Sequence, residues 1–143
     1  MPKSSSEAAG NVAMDPALIL IVEDDAESRM LIHDVLVYHR YRVLEAESAE
    51  AGLVLARQND PALILMDVRL PGIDGYEALS ALRRDPATRG IPVVAVTASA
   101  MSDDRRRMAE AGFDGYHGKP IDIARLVTEV DAMLARPRSI SGP

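Results

Sequence analysis

The sequence contains no cysteine. Disulfides, a thiol nucleophile and cysteine-ligated zinc are therefore excluded. It also has no apolar run long enough to span a bilayer. Residues 1–15 lack the hydrophobic core of a signal peptide, so a cytoplasmic protein without membrane contact is expected. Positive charge is in deficit. The formal net charge is −6, which argues against non-specific nucleic-acid binding, and no direct DNA contact is expected. Lysine is the scarcest cation. Among sixteen Lys and Arg residues, lysine occurs only at Lys3, in a polar tail, and at Lys119, directly before Pro120. A compact ammonium on a flexible stem suits contact with one anionic atom, which the planar fork of Arg does not.

What is present is a set of short apolar runs. Ala62-Leu63-Ile64-Leu65-Met66 leads into Asp67, between Pro61 and Pro71-Gly72. Its length and boundaries predict a strand buried on both faces, as in a parallel sheet covered by helices. Leu18–Val22 predicts a first strand, ending in Glu23-Asp24-Asp25. A helix follows to about Tyr38, with Met30, Leu31, Val35 and Leu36 as its apolar stripe. Tyr41–Ala46 alternates like a strand nearer the edge. Ser48 is placed to cap a helix to about Gln58 that buries Ala49, Leu53 and Ala56. A short helix over Tyr76–Arg84 stops at Pro86. Pro92–Val96 is a strand ending at Thr97. Ser102 opens a helix that Gly112 closes. Gly115–Gly118 is a weak strand, and Ile123–Ala135 a last helix with Ile123, Leu126, Val127, Val130 and Leu134 at helical spacing. Five strands alternating with five helices predict a doubly wound α/β fold. Its parallel sheet runs in order 2-1-3-4-5 with helices on both faces. Residues 1–16 and 136–143 read as flexible tails around one domain over 17–135, and no second domain is evident.

The strand ends carry the chemistry. Strand one gives Glu23 and Asp24, strand three Asp67, strand four Thr97 and strand five Lys119. Ligands in such sheets bind outside the carboxyl ends of the strands, and the order 2-1-3-4-5 brings the three carboxylates together. Their repulsion needs compensation. Lys119 offers one source and Mg²⁺, which takes a few hard oxygen ligands, the other. An acid, a metal, a hydroxyl and an ammonium around one point suit phosphoryl transfer, with Asp67 as a nucleophile that forms an acyl phosphate.

These stretches, with Leu70-Pro71-Gly72-Ile73-Asp74-Gly75, Val94-Ala95-Val96-Thr97-Ala98 and Lys119-Pro120, resemble the receiver domains of two-component response regulators, the CheY-like family with its flavodoxin-like (βα)5 fold. The likeness covers about residues 17 to 135. It implies that Asp67 is the phosphoacceptor. Glu23, Asp24, Asp67 and the backbone carbonyl of Arg69 would then hold Mg²⁺, with Thr97 and Lys119 contacting the phosphoryl group. Tyr116 would be the aromatic switch, turning inward together with Thr97 to alter the face made by the fourth helix, fifth strand and last helix. The Lys119-Pro120 bond would be cis. The donor would be a sensor histidine kinase or a histidine phosphotransfer protein. The output would be contact with a downstream protein by a monomer or weak dimer. The motif wording is closest to single-domain receivers and those of hybrid kinases.

Several positions bear on this. Gly118 stands where the family more often has a larger residue, and Arg69 and Ser99 flank the site at variable positions. Arg105-Arg106-Arg107 reads as a solvated helix face. Two other functions compete: a phosphorylation-independent scaffold, and an aspartate-dependent Mg²⁺ phosphatase. The phosphatase needs a second acid two residues beyond its nucleophile, where this chain has Arg69.

Overall fold

The apolar runs form strands because β-branched and long aliphatic side chains pack well on a pleated surface covered on both sides. The structure, a computed structural model, describes residues 16–98 and 102–135. The expected tails, apart from Pro16, lie outside those residues, as do Ser99 and the side chain of Ser102. In chain order the elements are β1 (Leu18–Val22), α1 (Ala26–Tyr38), β2 (Arg42–Ala46), α2 (Ala49–Asn59), β3 (Leu63–Asp67), α3 (Gly75–Arg84), β4 (Val93–Thr97), α4 (Ser102–Ala111), β5 (Gly115–Gly118) and α5 (Ile123–Ala135). All strand pairs are parallel, in the order β2-β1-β3-β4-β5. The doubly wound reading holds.

Alternate residues of each strand feed two cores. Leu20, Val22, Ile64, Met66, Val93 and Ala95 meet α2, α3 and α4 on one face. Ile19, Ile21, Leu63, Leu65, Val94 and Val96 meet α1 and α5 on the other. β3 and β4 are buried throughout. Truncating a residue such as Leu65 to Ala would cost roughly 2–5 kcal/mol.

Two helix faces differ from those expected. In α1 the buried residues are Ile32 and Leu36, while Met30 is 62% and Leu31 39% exposed. Asp25 caps the helix through Ser28 N (2.9 Å), and this fixes a phase in which 29, 32 and 36 point inward. Arg29 takes the first place on that line and turns back toward the loop. In α5 the buried residues are Leu126, Val130 and Met133, and Ile123 is exposed.

β5 forms despite its glycines, and Gly115 has a packing reason. A Cβ there would lie 2.7 Å from Glu129 Oε2. The space lets the Glu129 carboxylate lie over β5 and meet the buried His117. α5 is also tied to the start of β2, where the Tyr41 hydroxyl meets Asp131. Burial, with Asp131 adding to it, pushes the Tyr41 phenol up to about 12.

Candidate functional site

The carboxyl ends of β1, β3 and β5 converge. Glu23 and Asp67 are buried, Asp24 is exposed, and one oxygen from each lies within 4.8 Å of the others. Lys119 Nζ stands 2.8 Å from Glu23 Oε1 and 3.3 Å from Asp67 Oδ2. Asp67 Oδ1 accepts from Arg69 N (2.9 Å), and Arg69 itself is exposed. Thr97 is buried at the end of β4. It sits opposite Gly118, and its carbonyl accepts from Lys119 N (2.8 Å). The Lys119-Pro120 peptide is cis. A cleft of about 600 Å³ opens beside the acids, lined by Asp24, Arg69, Asp74, Thr97, Asp104 and Arg107 among others.

The electrostatics follow from crowding. Burial raises Glu23 to about 7, with Asp67 adding to it and Lys119 opposing. Burial alone would lower Lys119, but the carboxylates of Glu23 and Asp67 outweigh it and hold the ammonium above its ordinary value. The site therefore favours the charge on Lys119 and disfavours the charge on Glu23, its most buried acid.

Local hydrogen bonds place these groups. Asp25 N donates to Glu23 Oε2 (3.0 Å). Past β3, Gly75 N donates to Val68 O (2.9 Å), and Asp74 and Glu77 form a reciprocal capping box at the start of α3. A Cβ on Gly75 would come within 2.7 Å of Asp67 O and Val68 Cα. Only glycine lets the loop return this close beneath the acid.

Tyr116 stands apart, half-buried on the edge strand β5. The Arg105 guanidinium lies 5.8 Å from its ring centroid, with Nη1 3.5 Å from the hydroxyl. Arg107 lies 4.1 Å from the ring centroid of Tyr76, which meets Phe113 edge-on. The three arginines are exposed, as expected of a solvated face, but two of them also cover tyrosines.

The model of the response regulator receiver domain matches residues 19–131. The chain belongs to the response regulator receiver family. It is 37% identical over 116 residues to the polar-differentiation response regulator DivK of Brucella ovis, across 81% of this chain and 94% of that protein. A response regulator structure from Chloroflexus aurantiacus superposes with a TM-score of 0.81 at 36% identity, covering 85% of this chain and 99% of that one. The receiver domain of the sensor histidine kinase PA1611 from Pseudomonas aeruginosa gives 0.79 at 31% identity, over 85% and 99% of the two chains. That structure holds a magnesium ion in its active-site cleft.

Receiver domains are signalling modules that in general take a phosphoryl group on an aspartate and bind Mg²⁺. The residues of this receiver fit such an ion. The donors are all carboxylate oxygens, close enough to share one cation. Among the described residues no helix is long and apolar enough to cross a membrane. Arg29, whose Nη1 donates to the Glu23 carbonyl (2.9 Å), is a neighbour of the acids that the sequence does not single out. Its signal was faint: one arginine three residues before the buried Ile32.

Proposed function

We propose that this receiver accepts a phosphoryl group on Asp67 from a histidine kinase or a histidine phosphotransfer protein. It then acts as a single-domain regulator on a downstream protein. The observation that carries the proposal is Lys119 Nζ held between Glu23 and Asp67, at 2.8 and 3.3 Å. An Asp67 oxygen attacks phosphorus, and the P–N bond to the donor imidazole breaks. The ring nitrogen keeps the electron pair and takes up a proton. Lys119 and the Thr97 hydroxyl contact the transferred oxygens, and Glu23, Asp24, Asp67 and the Arg69 carbonyl would hold Mg²⁺. The bound metal supplies neutralisation of the oxygens' charge.

Exposed apolar side chains lie on the two helices flanking the site, and they suit a protein donor. Met30 and Leu31 are on α1, and Ile123 begins α5 four residues beyond Lys119. The likeness to DivK over 94% of that protein supports the single-domain reading. An exposed Arg69 two residues after Asp67 supports phosphotransfer over a phosphatase, which needs an acid there. Phosphate on Asp67 draws Thr97 inward, and Tyr116 follows, reshaping the face of α4, β5 and α5.

Incubation with acetyl phosphate and Mg²⁺ tests this by intact mass. One phosphoryl group is expected on the wild type. Asp67→Asn and EDTA-treated protein are expected to carry none. Labelling that survives Asp67→Asn would overturn the assignment. Sustained turnover of a phosphoester would favour the phosphatase, and no labelling by any donor the scaffold.

A further inference from the structure

We infer that Arg29 is a positioning residue for the Mg²⁺ site, acting through the peptide that joins Glu23 to Asp24. Its Nη1 donates to the Glu23 carbonyl at 2.9 Å. That carbonyl belongs to the peptide plane whose two flanking residues are both acids of the cluster. Fixing one plane thus constrains the backbone from which two carboxylates branch. The guanidinium is itself held. Nε lies 3.2 Å from Glu45 Oε1, Nη2 lies 3.9 Å from Glu47 Oε2, and the side chain is only 16% exposed. Glu45 and Glu47 sit at the end of β2 and just beyond it, and Glu23 N donates to Ala46 O (3.0 Å). Arg29 therefore clamps the loop after β1 to the edge strand. The main-chain bond from Arg29 N to Asp25 O (3.0 Å) sets the helix that carries it.

Two effects of Arg29 on the metal have opposite signs. A cation near the site repels Mg²⁺, so charge alone predicts that removing it tightens binding. A clamp that preorganises ligands predicts that removing it weakens binding. Loss of an outer partner of this kind typically costs ten- to a hundredfold in metal affinity. Arg29 pairs with Glu45 and Glu47 and touches the cluster through a carbonyl, so its charge acts on the metal only at a distance and through solvent-exposed partners, and the positioning effect dominates.

The inference rests on the Mg²⁺ reading above, and the test separates the two. Mg²⁺ alone is titrated by calorimetry into metal-free full chain, at a temperature where circular dichroism shows each variant folded. Arg29→Ala is expected to bind about tenfold more weakly than wild type. In the metal-free state its Glu23, Asp24 and Asp25 amide signals should move by NMR. Unchanged or tighter binding by Arg29→Ala would overturn the inference. Should that variant not fold, Arg29→Gln decides, because it removes the charge and shortens the donor: weaker binding supports positioning, tighter binding refutes it. A wild type that binds no Mg²⁺ would refute the metal reading instead.

Discussion

On the acidic side of the cleft nearly every loop is tied down. Asp25 caps α1, Arg29 holds the Glu23 carbonyl, and a capping box starts α3. Around Tyr116 the described polar contacts are fewer and longer. Tyr116 has a guanidinium 5.8 Å from its ring centre and a 3.5 Å contact at its hydroxyl. The difference matches two tasks. Chemistry needs ligands held in place before the metal and the phosphoryl group arrive. A readout needs a side chain with two positions of similar energy. Stiffness on one side and looseness on the other are thus what the proposed function would need from one site, to accept a phosphoryl group and to report it.

The stiff side should break hardest. Gly75→Ala puts a methyl 2.7 Å from two backbone atoms beneath Asp67. The loop must move, and a loss of about 1–3 kcal/mol is expected in denaturant midpoints, with Mg²⁺ affinity falling alongside. An unchanged midpoint would show the loop to be softer than its hydrogen bonds imply. Lys119→Ala comes next. It leaves Glu23 beside Asp67 without the ammonium, and labelling by acetyl phosphate should slow by roughly a hundredfold. The fold should survive, since Lys119 lies at the surface of the cleft and outside both cores.

A pH titration sharpens the same side. Glu23 lies at about 7 in the fold, raised from 4.5 chiefly by burial. The folded state therefore binds this proton more tightly than the unfolded chain. The resulting stability is complete below pH 4.5 and lost as pH rises to about 7. In EDTA the melting temperature of the wild type should fall across that window relative to Glu23→Gln. Added Mg²⁺ should reverse the fall by favouring the carboxylate. A flat difference between the two proteins would mean that Lys119 already neutralises Glu23.

The sequence exposes some of this contrast and hides the rest. β3 and β4 are legible because strands buried on both faces are written as unbroken apolar runs. Glu23, Asp24, Asp67, Thr97 and Lys119 are legible because parallel topology sends every strand end to one edge. The inward line of α1 is not. Periodicity favours Met30 and Leu31 over a line that begins with a charged residue, yet the Asp25 cap sets the phase and Arg29 takes an inward place. Gly115 reads as a defect in β5 until Glu129, fourteen residues later, is seen to fill its space. The partnership of Arg105 with Tyr116 crosses elements and leaves no local pattern.

The loose side gives the smallest effect, and Arg105→Ala tests it. An exposed cation–π contact near the 6 Å limit is worth about 0.5–1 kcal/mol. On the proposed switch it would exist only while Tyr116 faces outward. Removing the guanidinium should leave the denaturant midpoint almost unmoved, because Arg105 is exposed and lies outside both cores. It should raise the inward population of Tyr116 about two- to fivefold at equal phosphorylation, read from the tyrosine ring signals by NMR. The fraction should rise in the unphosphorylated protein by the same factor, since the contact is lost from one state only. A rise seen only after phosphorylation would mean that Arg105 contacts the activated state instead, and the tyrosine side would then be held by something other than this pair.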